Sequence, residues 1–239
     1  MGSLLHGVLM ERIPRTLASK LHTEELRPFH QWLSYDAKTS QSSWTIGTID
    51  DSLFDEFSSV VTTLSSVNIR QKNYAIGIGE PECIRETSFE ELADQAFESG
   101  NVPSGVYCEF LTPTSFKHDG AYQIFPDTMR ILQSLLCRWN AFSEQIRLDE
   151  PDLADRLVPY CTINRYWLRS AAFSVEHHRI VGFSGNVRFR FSGTDSAKSI
   201  LSLLFSFAPF VGIGIKTALG MGAVHTEVWT GNRNNMERR

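Results

Sequence analysis

No two of the four cysteines, Cys83, Cys108, Cys137 and Cys161, form a C-x-x-C pair. Their wide spacing carries no zinc-finger, thioredoxin or disulfide pattern, and it fits a reducing, cytoplasmic setting. No run of about 18 apolar residues occurs, so no membrane-spanning helix is expected. The chain does not open on a basic stretch followed by a long apolar core, so no secretory signal is expected either. Positive charge is also short: 23 Lys and Arg stand against 27 Asp and Glu, for a net charge of −4. That balance argues mildly against a nucleic-acid binder, although a local basic groove is enough to make one. No His, Cys and carboxylate cluster suggests a metal, no cofactor motif is complete, and no Ser–His–Asp set can be assembled by pattern.

What is present suits a globular protein. The 239 residues are 42% hydrophobic and 21% charged, enough for one large domain or two of about 100–120 residues each. Leu4, Leu5, Val8, Leu9, Ile13, Leu17 and Leu21 stand at helical spacing, which predicts a helix over Ser3 to Leu21 that breaks or kinks at Pro14. Strands are expected over Gln31 to Tyr35 and Trp44 to Ile49. A helix capped by Asp50-Asp51 follows over Leu53 to Leu64, then a strand over Asn73 to Gly79. That order is a ferredoxin-like unit without its first strand, so either the N-terminus is trimmed or this copy is atypical. Residues 80–103 are acidic and read as a solvated face or linker, which places a domain boundary there.

The second half restarts the pattern. It offers a strand over Gly105 to Thr112, a loop from Pro113 to Asp119, and an amphipathic helix over Met129 to Phe142 with Pro126 at its start. Two strand-rich stretches, Tyr160 to Val175 and Arg179 to Phe191, join near His177-His178. A helix over Asp195 to Phe210 and a closing strand complete a strand–helix–strand–strand–helix–strand unit. The expected fold class is α+β, with two tandem ferredoxin-like (RRM-like) domains over 1–103 and 104–239, the first lacking its first strand.

The chain is organised around Phe210-Val-Gly-Ile-Gly-Ile-Lys-Thr-Ala-Leu-Gly-Met-Gly-Ala-Val224, where Gly212, Gly214, Gly220 and Gly222 surround Lys216 and Thr217. Dense glycines permit positive φ and bring bare N–H groups to a ligand. Successive N–H groups form an anion site, and a lysine adds a full charge. A loop lying against phosphate is expected. A nucleotide P-loop fails on spacing, because Phe210 stands where its first glycine belongs. A dinucleotide fingerprint fails because Thr217 stands where its third glycine or alanine belongs.

Gly212-Ile-Gly214-Ile-Lys216-Thr217-Ala-Leu-Gly220-Met-Gly222 resembles the glycine-rich loop of the RAMP superfamily, and specifically of its CRISPR repeat-cleaving endoribonucleases. Phe110-Leu-Thr-Pro-Thr-Ser-Phe116, Phe125-Pro126, Arg138-Trp139-Asn140 and Gly182-Phe-Ser-Gly185-Asn-Val-Arg-Phe-Arg-Phe191 are similar to further parts of that family's C-terminal domain, so the resemblance spans roughly residues 105–230. It implies a metal-independent, cytoplasmic endoribonuclease that cuts CRISPR precursor RNA within its repeats by 2′-OH attack, leaving a cyclic phosphate. Its partners would be the repeat RNA and other CRISPR effector subunits, and it would act as a monomer or homodimer, with no cofactor. The rival reading is a catalytically inactive subunit that holds RNA in an interference complex.

Metal-free cleavage needs a base for the 2′-OH, an acid for the leaving 5′-oxygen and a cation for the developing charge. Histidine suits the first two roles near neutral pH. From its place after the first helix, the resemblance assigns His22 as the acid/base and Arg27 as the phosphate-binding cation. A tyrosine that some members carry in the first helix falls nearest Met10. By the chemistry of the residues alone, His22 is a helix-end histidine favoured by the C-terminal dipole. His6 in the first helix reads first as a helical surface histidine, with a place facing the same site as the alternative, His118 and His225 read as surface groups, and His177-His178 as a solvated hairpin tip. RNA contacts are expected from Gly212, Gly214, Lys216, Thr217, Gly220 and Gly222 and from Arg188 and Arg190, which share one strand face by their i, i+2 spacing. Arg165 and Arg169 are further candidates. The aromatics interleaved with these arginines, Tyr166, Trp167, Phe189 and Phe191, read as core more than as stacking platforms.

Overall fold

The protein is described here by a computed structural model, which covers residues 2–69, 74–97, 102–175 and 178–231. His177 lies outside these residues. Pro14 splits the N-terminal helix as its missing N–H requires, giving α1 (Gly2–Arg12) and α2 (Arg15–Thr23). β1 (Phe29–Asp36) and β2 (Gln41–Thr48) follow as an antiparallel hairpin. The side chain of Asp50 accepts from the Leu53 N–H and starts α3 (Asp51–Thr63). β3 (Ser66–Ile69) and β4 (Tyr74–Gly77) form a second antiparallel hairpin. Leu5, Leu9, Leu21, Phe29, Leu53, Phe57 and Val67 build the core of this unit, and Ala218 of the glycine loop is buried among them.

The acidic stretch holds a helix, α4 (Phe89–Phe97), that sequence reading passed over. Glu90, Glu91 and Asp94 are exposed, as a solvated face should be. Its other face, Leu92, Ala93 and Ala96, is buried in the second core, and Phe89 meets the rings of Trp139 and Phe207 at 5.0 and 5.6 Å. The helix that precedes position 103 is thus packed on the second unit.

That unit runs β5 (Pro103–Thr114), a short hairpin of β6 (Phe116–His118) and β7 (Ala121–Gln123), α5 (Thr128–Phe142), α6 (Leu153–Leu157), β8 (Cys161–Val175), β9 (His178–Phe191), α7 (Asp195–Val211) and β10 (Val224–Thr230). Asp127, not Pro126, caps α5, accepting from the Arg130 N–H. The antiparallel sheet has the order β10-β5-β9-β8. Counting the unit's four main strands from one, that is 4-1-3-2, the ferredoxin-like arrangement the element order predicted. Val106, Cys108 and Phe110 of β5 and Val187, Phe189 and Phe191 of β9 alternate into a core closed by α5 and α7.

Phe207 lies at the centre of this core, 1% exposed, between Phe89 and Trp139. Phe207→Ala should cost ~3–5 kcal/mol of unfolding free energy in urea, with the denaturant slope unchanged.

Candidate active site

The site grows from the end of α7. Thr194 caps that helix by accepting from the Ala197 N–H, and Gly212 ends it at φ 71°, donating to the Ala208 carbonyl. From there the chain turns back under itself. The Ile213 N–H donates to the Gly222 carbonyl, the Gly222 N–H to Pro113, and the Ile215 N–H to Ser115. A side chain at Gly222 would overlap the Ile213 carbonyl, and one at Gly214 would sit 2.5 Å from the Ser115 carbonyl. Glycine is demanded here by close backbone approach as well as by positive φ.

This geometry refines the expectation that the glycines offer bare N–H groups. All four are buried, and the N–H groups at 212, 214, 220 and 222 are bound within the protein. The N–H groups of Lys216, Thr217 and Ala218 have no such acceptor among the described residues. Lys216 has an exposed side chain and takes a left-handed backbone, φ 57°, at the entry to a 3-10 turn over Thr217–Leu219. The loop's free face is therefore residues 216–218, and Thr217 itself is buried.

Two side chains hold that face, and neither was singled out for this by its sequence neighbourhood. Arg138, on α5, is buried, and its guanidinium donates to the Ser134 carbonyl and Oγ, to the Gly214 carbonyl at 3.1 Å and to Thr217 Oγ1 at 3.3 Å. Burial lowers its pKa to about 10, so it stays charged near neutrality. From the other unit, buried Gln31 on β1 donates through Nε2 to the carbonyls of Ala218 at 3.0 Å and Gly2 at 3.1 Å. Its Oε1 accepts from Trp44 Nε1 at 2.6 Å. Beside it His30 is fully buried, with its ring 4.9 Å from Trp32, and a Cβ at Gly47 would overlap that ring. Burial first and the Arg138 charge second push the His30 pKa down to about 3.

The predicted catalytic residues come from α2 and the segment that follows it. His22 is exposed near the end of α2, and Arg27 follows, half-buried, with Nε donating to the Leu21 carbonyl at 2.9 Å. Burial lowers the Arg27 pKa. His6 of α1 joins them, which corrects its reading as a surface histidine: it is partly buried and its ring stacks on Phe29 at 5.8 Å. Burial first, then the Arg27 charge, lower its pKa to about 4, with the nearby Ala218 backbone opposing them and His22 adding to them. His6 thus lies within reach of the Arg27 and His22 charges. Met10, where a first-helix tyrosine was sought, packs against the first core instead. The one signal for His6 in the sequence was its place on the helix that leads to His22.

Arg188 and Arg190 lie elsewhere, on the sheet face opposite the core, as their spacing predicted. Arg190 is exposed, and Arg188 is half-buried with its guanidinium 4.6 Å from the centre of the Trp229 ring. Phe189 and Phe191 are core, whereas Tyr166 and Trp167 are exposed.

The chain is similar in sequence and fold to known proteins. The family model for CRISPR-associated endoribonuclease Cas6 matches residues 108–224, from β5 to the start of β10. The Cas6 endoribonuclease of Mycobacterium tuberculosis is 30% identical over 229 residues, 95% of this chain and 72% of the relative. That of Streptococcus thermophilus is 28% identical over 222 residues, 93% of this chain and 89% of the relative. A solved Cas6 product complex, 25% identical, aligns with a TM-score of 0.78 over 95% of this chain and 93% of that one. Thermus thermophilus Cas6, also 25% identical, aligns at 0.67 over 95% and 91%. The α+β class with two tandem ferredoxin-like units agrees with these likenesses.

Two expectations follow from the buried groups. Arg138→Met leaves the Gly214 carbonyl and Thr217 without a charged donor and should lower stability by ~1.5–3 kcal/mol in thermal or urea unfolding. His30 and His6 stay neutral in the fold down to about 3 and about 4, whereas both protonate near 6.5 once unfolded. The unfolded chain therefore binds more protons below pH 6.5, and stability falls as pH drops through that window, by about 1.4 kcal/mol per pH unit for each proton. His30→Asn should flatten urea-derived stability between pH 6.5 and pH 4 by about one proton's worth.

Proposed function

The chain belongs to the CRISPR-associated endoribonuclease Cas6 family, and on that premise we propose that it cuts CRISPR precursor RNA within each repeat, without a metal ion, to release guide RNAs. Two observations support this reading: His6 of α1 lies within reach of the Arg27 and His22 charges, and the Gly2 end of the same helix abuts the turn at Leu219 and Gly220. His22, exposed near the end of α2, moves protons between the 2′-OH, which attacks the adjacent phosphorus, and the departing 5′-oxygen. The products are a 2′,3′-cyclic phosphate and a 5′-hydroxyl. Arg27 is anchored to the last turn of α2 and offers its remaining guanidinium donors to the phosphate, where charge accumulates in the transition state. Lys216 adds a second cation from the other side of the turn, and the N–H groups of 216–218 are directed by the same backbone.

His6 has a different part. Its pKa of about 4 leaves it neutral at physiological pH, so it adds no charge to the phosphate. Stacked on Phe29, in a helix whose Gly2 end abuts Leu219 and Gly220, it steadies α1 against the turn that carries Lys216. Arg188 and Arg190 meet RNA beyond the cleavage point. The glycines act as scaffold, since their N–H groups are already committed.

Cleavage of a repeat RNA in EDTA tests the chemistry. Wild type should cut, His22→Ala should lose about 10²–10⁴-fold in rate, and a 2′-deoxy substitution at the cut site should block cleavage. Mass spectrometry of the upstream fragment should show the cyclic phosphate. His6→Ala should slow cleavage less than His22→Ala. Loss of cutting in EDTA that returns with added metal would overturn the metal-free mechanism. Tight binding by a wild type that never cuts would leave the RNA-holding subunit.

A further inference from the structure

α5 and α7 cover one face of the second unit's sheet, where Val187, Phe189 and Phe191 are buried. The other face is set by strand alternation and register. Arg188 lies on it and pairs directly with Arg165 of β8, and the ladder continues without a shift from there to the hairpin end. Arg165, Trp167, Arg169 and Phe173 therefore share that face. β8 is the edge strand of the sheet.

Three features of this edge are unfavourable for a fold standing alone. Trp167 is 82% exposed, a large apolar ring in water. Arg165 and Arg188 stand directly opposite one another, a pairing of like charges that costs stability. None of Arg165, Arg169, Arg188 and Arg190 forms an ion pair among the described residues, in a chain of net charge −4. The tryptophan on the opposite edge is treated differently, because Arg188 already lies over the ring of Trp229. Trp167 is left bare between two arginines. Phe173, on the same face, reaches the glycine loop beside Gly220, where an added Cβ would lie 3.4 Å from its ring. Six residue steps along the strand lead from Phe173 to Trp167, a path of about 20 Å away from the loop.

We propose that this edge is a track for unpaired RNA, in which a base stacks on Trp167 and flanking phosphates meet Arg165 and Arg169. The inference rests on the RNA-cleaving reading above. It adds that the segment leaving the glycine loop along β8 is single-stranded, because a duplex keeps the faces of its bases stacked on one another and unavailable to an indole. A second copy of the chain fits this edge less well: antiparallel pairing of two β8 strands centred on Trp167 would set Arg165 of each copy against Arg169 of the other.

The test compares fluorescently labelled oligouridylate with an RNA duplex of the same length, by anisotropy, on wild type, Trp167→Ala and Trp167→Phe. Trp167 is exposed, so its replacement leaves the core intact. Trp167→Ala should weaken oligouridylate binding by about 5- to 150-fold and Trp167→Phe should restore most of it, with duplex affinity unmoved. Arg165→Gln with Arg169→Gln should lower the slope of log affinity on log salt by about 1.4 for the single strand. Equal oligouridylate binding by wild type and Trp167→Ala overturns the track, as does equal loss for single strand and duplex. A Trp167→Ala protein that sediments as a monomer where wild type is a dimer, with RNA affinity kept, makes the edge a self-interface instead. If wild type cuts repeat RNA while Trp167 has no effect, the track fails alone; if wild type neither binds nor cuts, the functional reading fails with it.

Discussion

A guanidinium in the core with no carboxylate to meet it sets the terms for the rest of the molecule. Arg138 stays charged while almost wholly buried, and its hydrogen bonds end on neutral oxygens of Ser134, Gly214 and Thr217. A charge so placed is costly unless each donor is satisfied in good geometry. Ser134 satisfies one side of the guanidinium, and the Gly214 carbonyl with the Thr217 hydroxyl satisfies the other. The dependence runs both ways: the loop cannot move without stranding the charge, and the charge cannot be tolerated without the loop. Gln31 adds the tie from the first unit, on the next carbonyl along at Ala218.

The two units are therefore joined through a few main-chain oxygens as well as through packed apolar surface. Ala218 is buried in the first core although it belongs to the second unit. The segment between the units rests on the second one: Arg85 lies 4.6 Å over the ring of Phe210, and α4 buries its apolar face against Trp139 and Phe207. The first unit, which carries His22 and Arg27, is thereby tied to the turn that carries Lys216, and the proposed chemistry draws on both. Chemistry divided between two units needs such a register, because misplacement by about 1 Å can cost a hundredfold in rate.

Much of this was legible in the residues. The helical spacing of α1 and α2, the Pro14 break, the Asp50 cap and the alternation of β5 and β9 are local signals, and the elements appear where those signals put them. The glycine loop was found because four glycines around a lysine is a local pattern. What escaped was set by distant partners. Arg138 looks like an ordinary charged position on an amphipathic helix until Gly214 and Thr217 close over it. His6 reads as a surface residue because nothing nearby in sequence announces Phe29 or Ala218. α4 was hidden by its own glutamates, whose solvated face is more conspicuous than three small buried side chains. Trp167 was misjudged by the rule that strand aromatics are core, which holds for Phe189 and Phe191 but not on the outer side of an edge strand.

Lys216 has a consequence of another kind. Its backbone is left-handed, a conformation that costs a residue with a Cβ ~1–2 kcal/mol and glycine almost nothing. Gly212, Gly214, Gly220 and Gly222 around it all take positive φ with the residue type that conformation favours. A chain tuned for thermal endurance alone would carry a fifth glycine at 216, and would gain from it. Under the proposed function, Lys216 is where the demands of the fold and of the task diverge, and there the fold yields.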